Sequence, residues 1–415
     1  MGKAKSFSIA KQEVWRAYKR VKVNQGGAGV DGQTIEGFEK ELSNNLYKLW
    51  NRMSSGSYFP SPVRRVEIPK SDGRLRPLGI PTVADRVAQM VVKQNLEPQL
   101  EPHFHADSYG YRPGKSAIDA VDTARTRCWR YNWVIDLDIK GFFDNIDHDL
   151  LMQAVKKHTD CKWILLYIQR WLKVPVQLPD GSLVERDKGT PQGGVISPLL
   201  ANLFLHYVFD KWMERKFPSI PFERYADDII CHCVSEQQAK FVLGAIRKRM
   251  AECKLELHPE KTRIVYCKND WQKGNYPHEK FDFLGFTFRP RPSIDKNGKR
   301  FVGFNPAVSN KAQKAMRQTI RSWNLNRRTT ETIEDFARMY NPIIRGWINY
   351  YGSFCKSALY RVFYYLDGVL SRWAKRKYKR IRRRQRRAIH WVKRVIVRQP
   401  DLLVHWRFVY AWARQ

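Results

Sequence analysis

Apolar positions recur with helical spacing from Lys11 to Tyr47, interrupted at 24–32 where four glycines fall within nine residues; this predicts helices joined by a loop. Val63, Val66 and Ile68 then alternate imperfectly with basic residues before Ser71-Asp72-Gly73 turns the chain into Arg74-Leu75-Arg76-Pro77, predicting a basic β hairpin over 64–80. Helices are predicted over 84–100 and 116–130, a strand over 133–139, and mostly helix over 144–172. A second hairpin is expected around Pro179-Asp180-Gly181, and a long apolar-faced helix over 197–215. Strand, turn and strand signals centre on Asp227, followed by an amphipathic helix over 242–253 and a short aromatic strand pair over 281–288. From Pro306 onward the pattern is almost purely helical, which suggests a second domain. Strands and helices alternate without regular βαβ spacing, so the expected class is α+β.

Composition narrows the partners. The 415 residues are 43% apolar and 13% aromatic, enough for two to four folded domains. Lys plus Arg number 75 against 40 acidic residues, a net charge of +35 that calls for a polyanion, hence nucleic acid. No apolar run approaches the roughly 18 to 20 residues that span a bilayer, so no membrane is expected. Met1 to Arg20 has no continuous apolar core of a secretory signal. The seven cysteines form no CxxC pair, which predicts a reduced, zinc-free chain in the cytoplasm, and Cys231-His232-Cys233 directly after two isoleucines fits a buried strand. Between Arg372 and Arg398 stand fourteen Lys or Arg and no acid, interleaved with Trp373, Tyr378 and Trp391, a combination suited to phosphates and exposed bases.

Two acidic places carry candidate chemistry. In the strand over 133–139, alternation sends Val134, Asp136 and Asp138 to one face and Ile135, Leu137 and Ile139 to the other. In Arg224-Tyr225-Ala226-Asp227-Asp228 two adjacent carboxylates sit at a turn, where both can project to the same side. If the two strands pair, the carboxylates converge and need a cation, and an oxygen-rich, histidine-free set favours Mg2+ over zinc. Neither Gly189-Thr190-Pro191-Gln192-Gly193-Gly194 nor Gly110-Tyr111-Arg112-Pro113-Gly114-Lys115-Ser116 has the spacing of a phosphate-binding P-loop. Lys70, Arg74 and Arg76 on the basic hairpin are better placed to grip a triphosphate.

These blocks together resemble the bacterial group II intron reverse transcriptases, or intron maturases. The likeness runs nearly end to end. It takes in the glycine-rich loop at 24–32, Ile68-Pro69-Lys70 through Arg76-Pro77-Leu78-Gly79-Ile80-Pro81, Asp85-Arg86, Ser108-Tyr109-Gly110-Tyr111-Arg112-Pro113-Gly114 and Asp138-Ile139-Lys140-Gly141-Phe142-Phe143-Asp144. It continues in Gly189 to Gly194, Arg224 to Asp228, His258-Pro259-Glu260-Lys261-Thr262, Phe283-Leu284-Gly285-Phe286, Tyr340-Asn341-Pro342 and Arg345-Gly346-Trp347-Ile348-Asn349-Tyr350-Tyr351.

The resemblance implies a right-hand polymerase of fingers, palm and thumb with a helical maturase (X) domain and a basic C-terminal tail. The expected segments are a helical N-terminal extension at 1–60, fingers and palm at 61–290, thumb and X domain at 300–371, and a nucleic-acid-binding segment at 372–415. It also implies catalytic Asp138, Asp227 and Asp228, with the Ile139 carbonyl assisting as a metal ligand and Asp136 and Asp144 as structural neighbours. Phe143 would favour deoxynucleotides. Gln192 and Gly193 would pack against the incoming nucleotide, Lys70 and Arg76 on its phosphates and base, and Lys261 would protonate pyrophosphate. Leu284 and Gly285 fall where the primer grip would be, and Trp347, Tyr350, Arg372, Arg376 and Arg383 are candidates for binding RNA.

The expected function is RNA-directed DNA synthesis with binding of group II intron RNA that assists splicing and mobility, using an RNA template, a DNA primer or target and deoxynucleoside triphosphates. In a bacterium the protein would be nucleoid-associated when on DNA. Family members with a DNA endonuclease carry a Cys- and His-bearing domain after the X domain, and no such segment precedes Gln415, so target-strand cleavage is not expected. A relative serving repair or defence, or a splicing factor without polymerase activity, are the rival readings.

Overall fold

The acidic face of the central sheet is set by strand register. The computed structural model describes residues 6–69, 75–271, 274–294, 297–382 and 384–410, and the chain falls into two compact units, Met1–Ala120 with Trp133–Ile264, and Val121–Asn132 with Val265–Gln415. Three N-terminal helices, α1 (Lys11–Asn24), α2 (Ile35–Glu39) and α3 (Leu42–Ser55), flank the glycine-rich loop. The basic hairpin is β1 (Val63–Pro69) against β2 (Leu75–Ile80), antiparallel as expected; its turn, with Lys70 and Arg74, lies outside the described residues. Helix α4 (Val83–Leu100) follows, started by Thr82, whose hydroxyl accepts from the Asp85 amide.

Next come α5 (Ala117–Cys128), β3 (Trp133–Leu137), α6 (Phe142–Asn145), α7 (His148–Lys156), α8 (Lys162–Leu172) and the small hairpin β4 (Val176–Gln177) and β5 (Leu183–Val184). The long helix expected over 197–215 is α9 (Ser197–Leu205) and α10 (Lys211–Lys216) joined by a π-helical stretch, His206–Asp210. That stretch widens the helix by one residue per turn, as π-bulges at functional sites do. Strands β6 (Phe222–Tyr225) and β7 (Asp228–Cys233), helix α11 (Glu236–Glu252) and β8 (Arg263–Tyr266) complete the central sheet, in the order β6-β7-β3-β8. Cys231, His232 and Cys233 are buried in β7, as the apolar flank predicted.

The second unit holds a three-stranded sheet, β9 (Phe281–Phe283), β10 (Phe286–Ile294) and β11 (Arg300–Val308), and the helices α12 (Asn310–Ser322), α13 (Ile333–Tyr351), α14 (Ser357–Lys377), α15 (Gln385–Arg398) and α16 (Val404–Val409). Strand β11 corrects the expectation that the pattern is helical from Pro306: that proline pairs with Phe288 inside the sheet, and helix begins only at Asn310. Stacked rings explain it, since Phe281 packs on Phe288 at 4.6 Å and on Phe304 at 6.0 Å.

One apolar core runs from Met316 through Phe336, Phe363 and Trp373 to Val392, Ile396 and Trp406, so the basic C-terminal helices α15 and α16 share it with α12 to α14. Buried Asp367 on α14 accepts from His405 Nε2 and Trp406 Nε1, both at 2.9 Å, and from the Tyr410 hydroxyl at 2.8 Å. Among the described residues no helix is long and apolar enough to cross a membrane.

Candidate active site

Strands β6 and β7 pair from Phe222 with Cys231 to Tyr225 with Asp228, leaving Ala226 and Asp227 as a two-residue turn with Ala226 in the left-handed region. Strand β3 lies on the other side of β7, Leu137 opposite Ile229 and Asp136 opposite Ile230. Asp138, one residue past Leu137, therefore arrives at the end of β7 where Asp228 starts, and Asp136 lies two residues further from the turn. Partners across an antiparallel pair share a face, so Asp136 stands on the side of Glu223 and Ile230. On that side His232 Nε2 and Glu223 Oε2 are 2.6 Å apart, both fully buried. Asp144 sits exposed on α6, where its charge acts on Arg186.

A buried strut fixes the turn. The Arg224 guanidinium, completely inaccessible, makes a bidentate pair with Asp210 at 2.7 and 2.6 Å. It also donates to Asn202 Oδ1 at 2.9 Å and to the Ala226 carbonyl at 3.2 Å. Asn202 in turn donates to the Gly110 carbonyl at 2.6 Å. The strand-like segment before Gly110 runs beside β6, with the Tyr109 amide on the Arg224 carbonyl at 2.8 Å. A Cβ on Gly110 would collide with the Ala226 backbone, so only glycine lets this segment touch the turn. Tyr111 follows with φ of 57°, half exposed, its ring 6.3 Å from that of Tyr225.

Burial pushes the Asp227 carboxyl above the usual range, and the negative charge of Asp138 adds to it, while Arg76 and Lys261 act in the opposite sense. Lys261 Nζ lies 2.9 Å from Asp138 Oδ2. It is brought there because the His258 amide donates to the Asp138 carbonyl at 2.7 Å and Ile139 bridges Leu257.

The residues expected around a nucleotide also meet one another. Arg76 Nε donates to Gln192 Oε1 at 2.7 Å, and the Gly79 amide donates to the Gln192 carbonyl at 2.8 Å. Gly193 has φ of 120°, and a Cβ there would come within 2.7 Å of the Gly79 oxygen. On the other side the Thr190 amide donates to the Phe143 carbonyl at 2.8 Å. The loop at 189–194 is thus clamped between β2 and α6, with buried Phe143 beneath it. Lys70 lies outside the described residues.

Among the described residues no group of three His, Cys, Asp or Glu side chains is gathered tightly enough to hold a metal ion. The donor chemistry nevertheless fits a hard dication. Asp138, Asp227, Asp228 and the Ile139 carbonyl offer oxygens alone, and the Asp227 carboxyl is one that a nearby positive charge would relieve.

In the second unit, Leu284 and Gly285 form the turn between β9 and β10, Phe283 opposite Phe286. The Tyr350 hydroxyl donates to the Leu284 carbonyl at 2.9 Å, and its ring packs 5.3 Å from Phe286. Trp347 stacks on Trp323 at 5.8 Å against the helical core. Arg372 is exposed with its guanidinium 6.0 Å from the Tyr365 ring, and Arg376, also exposed, donates to the Asn326 carbonyl. Arg383 lies outside the described residues.

The rings of the basic segment are taken up internally: Trp373 is fully buried, and Tyr378 and Trp391 pack 5.0 Å apart beside it. Sequence reading offered these three rings to bases; burial removes Trp373 from that role. A cavity of about 740 Å³ lies instead along α15, lined by Arg380, Arg387, His390, Lys393, Arg394 and Arg398 with Ile381 and Val397. Asn202 and Asp210 escaped sequence reading because nothing in an apolar helix marks them as supports of a turn. Gly110 stood inside a quoted motif, and its glycine was the available signal.

Residues 68–288 match the family described as reverse transcriptase (RNA-dependent DNA polymerase), and residues 313–391 match the group II intron, maturase-specific domain. Protein YkfC of Escherichia coli (strain K12) is 33% identical over 293 residues, covering 60% of this chain and 75% of that protein. The group II intron-encoded protein LtrA of Lactococcus lactis subsp. cremoris is 28% identical over 429 residues, covering 81% of this chain and 68% of that protein. A Candida albicans telomerase structure aligns with 92% of this chain and 68% of its own at 12% identity and a TM-score of 0.48.

Proposed function

Because this chain belongs to the reverse transcriptase family and carries a group II intron maturase-specific domain, we propose that Asp138, Asp227 and Asp228 are its catalytic carboxylates. The chain is an RNA-directed DNA polymerase of the group II intron-encoded kind, with a part in intron RNA binding, splicing and mobility. Fingers and palm are assigned to 61–290, thumb and X domain to 300–371, and a further nucleic-acid-binding segment to 372–415.

Asp138, Asp227, Asp228 and the Ile139 carbonyl would hold divalent cations, Mg2+ by the all-oxygen donor set. When bound, such ions supply charge neutralisation at the transferring phosphoryl group and lower the pKa of the attacking hydroxyl. The primer's 3′ oxygen gives its proton to water and forms a bond to the α-phosphorus of a deoxynucleoside triphosphate; the α–β phosphoanhydride bond breaks, and pyrophosphate leaves with the electron pair.

Lys261 neutralises Asp138 before substrate arrives and delivers a proton to the leaving pyrophosphate. Arg76 and Gln192, bonded to each other, grip phosphates and base, Gly193 lets the backbone approach, and Phe143 closes against the 2′ position of the sugar. Leu284 and Gly285, braced by Tyr350, hold the primer. Arg372 and Arg376 contribute charge toward RNA.

The observation that most supports this reading is the register of β3 on β7, which carries Asp138 to the Asp227–Asp228 turn. Primer extension on an RNA template with Mg2+ and deoxynucleotides tests it. Wild type should make cDNA. Asp227→Ala should lose more than the roughly 10- to 100-fold that removing an outer-shell partner of a metal ligand costs. An inactive wild type that still binds intron RNA would overturn the reading.

A further inference from the structure

We propose that the β10–β11 hairpin and the end of α5 form a binding surface for the sugar–phosphate backbone of the template–primer duplex, built on Arg289, Arg291, Arg125 and Trp129. The hairpin lies almost wholly between the two family matches, which end at 288 and begin at 313. The pairing places Arg289 opposite Asn305 and Arg291 opposite Gly303, so both arginines share one face of the hairpin with Asn305. Trp129, nearly half exposed, joins that face, its indole N–H donating to Asn305 Oδ1 at 3.2 Å. The Arg125 guanidinium is held 5.1 Å from the Trp129 ring and 5.4 Å from the Phe354 ring.

Positive charge exceeds negative on this face: Asp282, opposite Thr287, shares it and accepts from the Thr287 hydroxyl, but forms no ion pair with either arginine of the hairpin among the described residues. Arg291 spends its donors on two carbonyls, of Asn305 and Thr287, both at 3.1 Å, which satisfy its hydrogen bonds without neutralising it. Arg289 is exposed and has no carboxylate partner among the described residues, and of the three arginines only Arg125 is paired, with Asp122 at 2.7 Å. Burial and the charge of Arg289 both weaken Arg291's hold on its proton. Two guanidinium groups kept this close on one face are stabilised by a polyanion, and arginine beside an open indole suits phosphate and sugar together.

The occupant follows from the strand's other end. Strand β10 starts at the Leu284–Gly285 turn, and its nine residues extend for about 30 Å at ~3.3 Å each. The surface thus continues along the path of whatever that turn grips. This inference rests on the assignment of the turn to the primer.

Salt-dependent binding of an RNA-template/DNA-primer duplex to the full chain, read by fluorescence anisotropy, tests it. Arg289→Ala should flatten the plot of log affinity against log salt by about 0.7 to 0.9, and Arg289→Ala with Arg291→Ala by about 1.4 to 1.8. Arg289→Lys should restore the wild-type slope. With a trap that prevents rebinding, cDNA should shorten in both alanine variants. Arg291 has bonds to lose and the double variant can misfold, but Arg289 is exposed and decides the matter alone.

An unchanged slope for Arg289→Ala in an enzyme that still makes cDNA would overturn this inference and leave the polymerase reading intact. A loss confined to intron RNA, with duplex binding unaltered, would overturn it as well. A wild type unable to make cDNA would remove the reading on which it rests.

Discussion

Lys261 presents its ammonium group to Asp138 at 2.9 Å, so the first of the proposed catalytic carboxylates is already paired with a protein cation. With side chains 44% and 35% exposed, the pair contributes no more than about 1 kcal/mol to folding. Its consequence is competition, because any divalent cation must share or displace the lysine.

Lys261→Ala should therefore reach half-maximal activity at lower Mg2+, while its rate at saturating Mg2+ falls by about 10²- to 10⁴-fold if the lysine supplies the proton to pyrophosphate. A Mg2+ titration of single-nucleotide incorporation measures both. An unchanged midpoint together with an unchanged rate would show that the pair has no part in the reaction.

Gly110→Ala should lower the rate of incorporation by about 10²-fold, since a displacement near 1 Å of catalytic groups is enough for that. The added methyl meets the Ala226 backbone at the turn and no open space. Single-turnover kinetics on a variant with wild-type circular dichroism would check it; full activity would mean that the turn yields freely.

Asp210 bears on stability and on its pH dependence. Burial raises its pKa, but Arg224 and then His206 outweigh burial and bring it below the ordinary aspartate value. A carboxyl depressed in the folded state contributes stability that is present above its unfolded pKa, near ~3.9, and is lost as pH falls through the lower folded value. Asp210→Asn leaves a buried guanidinium without its counter-charge and should destabilise the chain by about 3 to 5 kcal/mol at neutral pH. Urea unfolding at several pH values reads both effects. The acid limb near and below pH ~4 should be shallower in the variant than in wild type.

Asp367→Ala removes the acceptor shared by His405, Trp406 and Tyr410. Burial and Asp367 hold the Tyr410 hydroxyl protonated far above its usual value, so it remains a donor at neutral pH. Leaving such donors unsatisfied costs about 1 to 3 kcal/mol for each that stays buried. Hydrogen exchange should show α16 opening first, with the rest of the second unit less affected. Uniform protection in wild type and variant would contradict this account of the C-terminal helices.

Much of this was legible in the sequence. The β1–β2 and β4–β5 hairpins announced themselves by alternation around turn residues, and the Asp227 turn by two acids between apolar strands. Helix α4, expected over 84–100 from apolar spacing, spans Val83–Leu100. Strand β11 was illegible because Gly303 and Pro306 look like breakers in isolation; the Phe281, Phe288 and Phe304 rings that stabilise it come from distant positions. Trp373 looked available to bases because it stands among cations, yet it faces inward from α14.

What the sequence determined by itself was additive or local: a surplus of positive charge, the order of the motifs, and two carboxylates placed back to back in a turn. Those properties need no partner element. Only the tertiary structure decided that Asp138 meets Asp227 and is paired with Lys261, that Arg76 meets Gln192, and that Arg224, Asp210, Asn202 and Gly110 brace the turn. Each depends on strand register and on burial, which bring together residues far apart in the chain and which no single segment specifies.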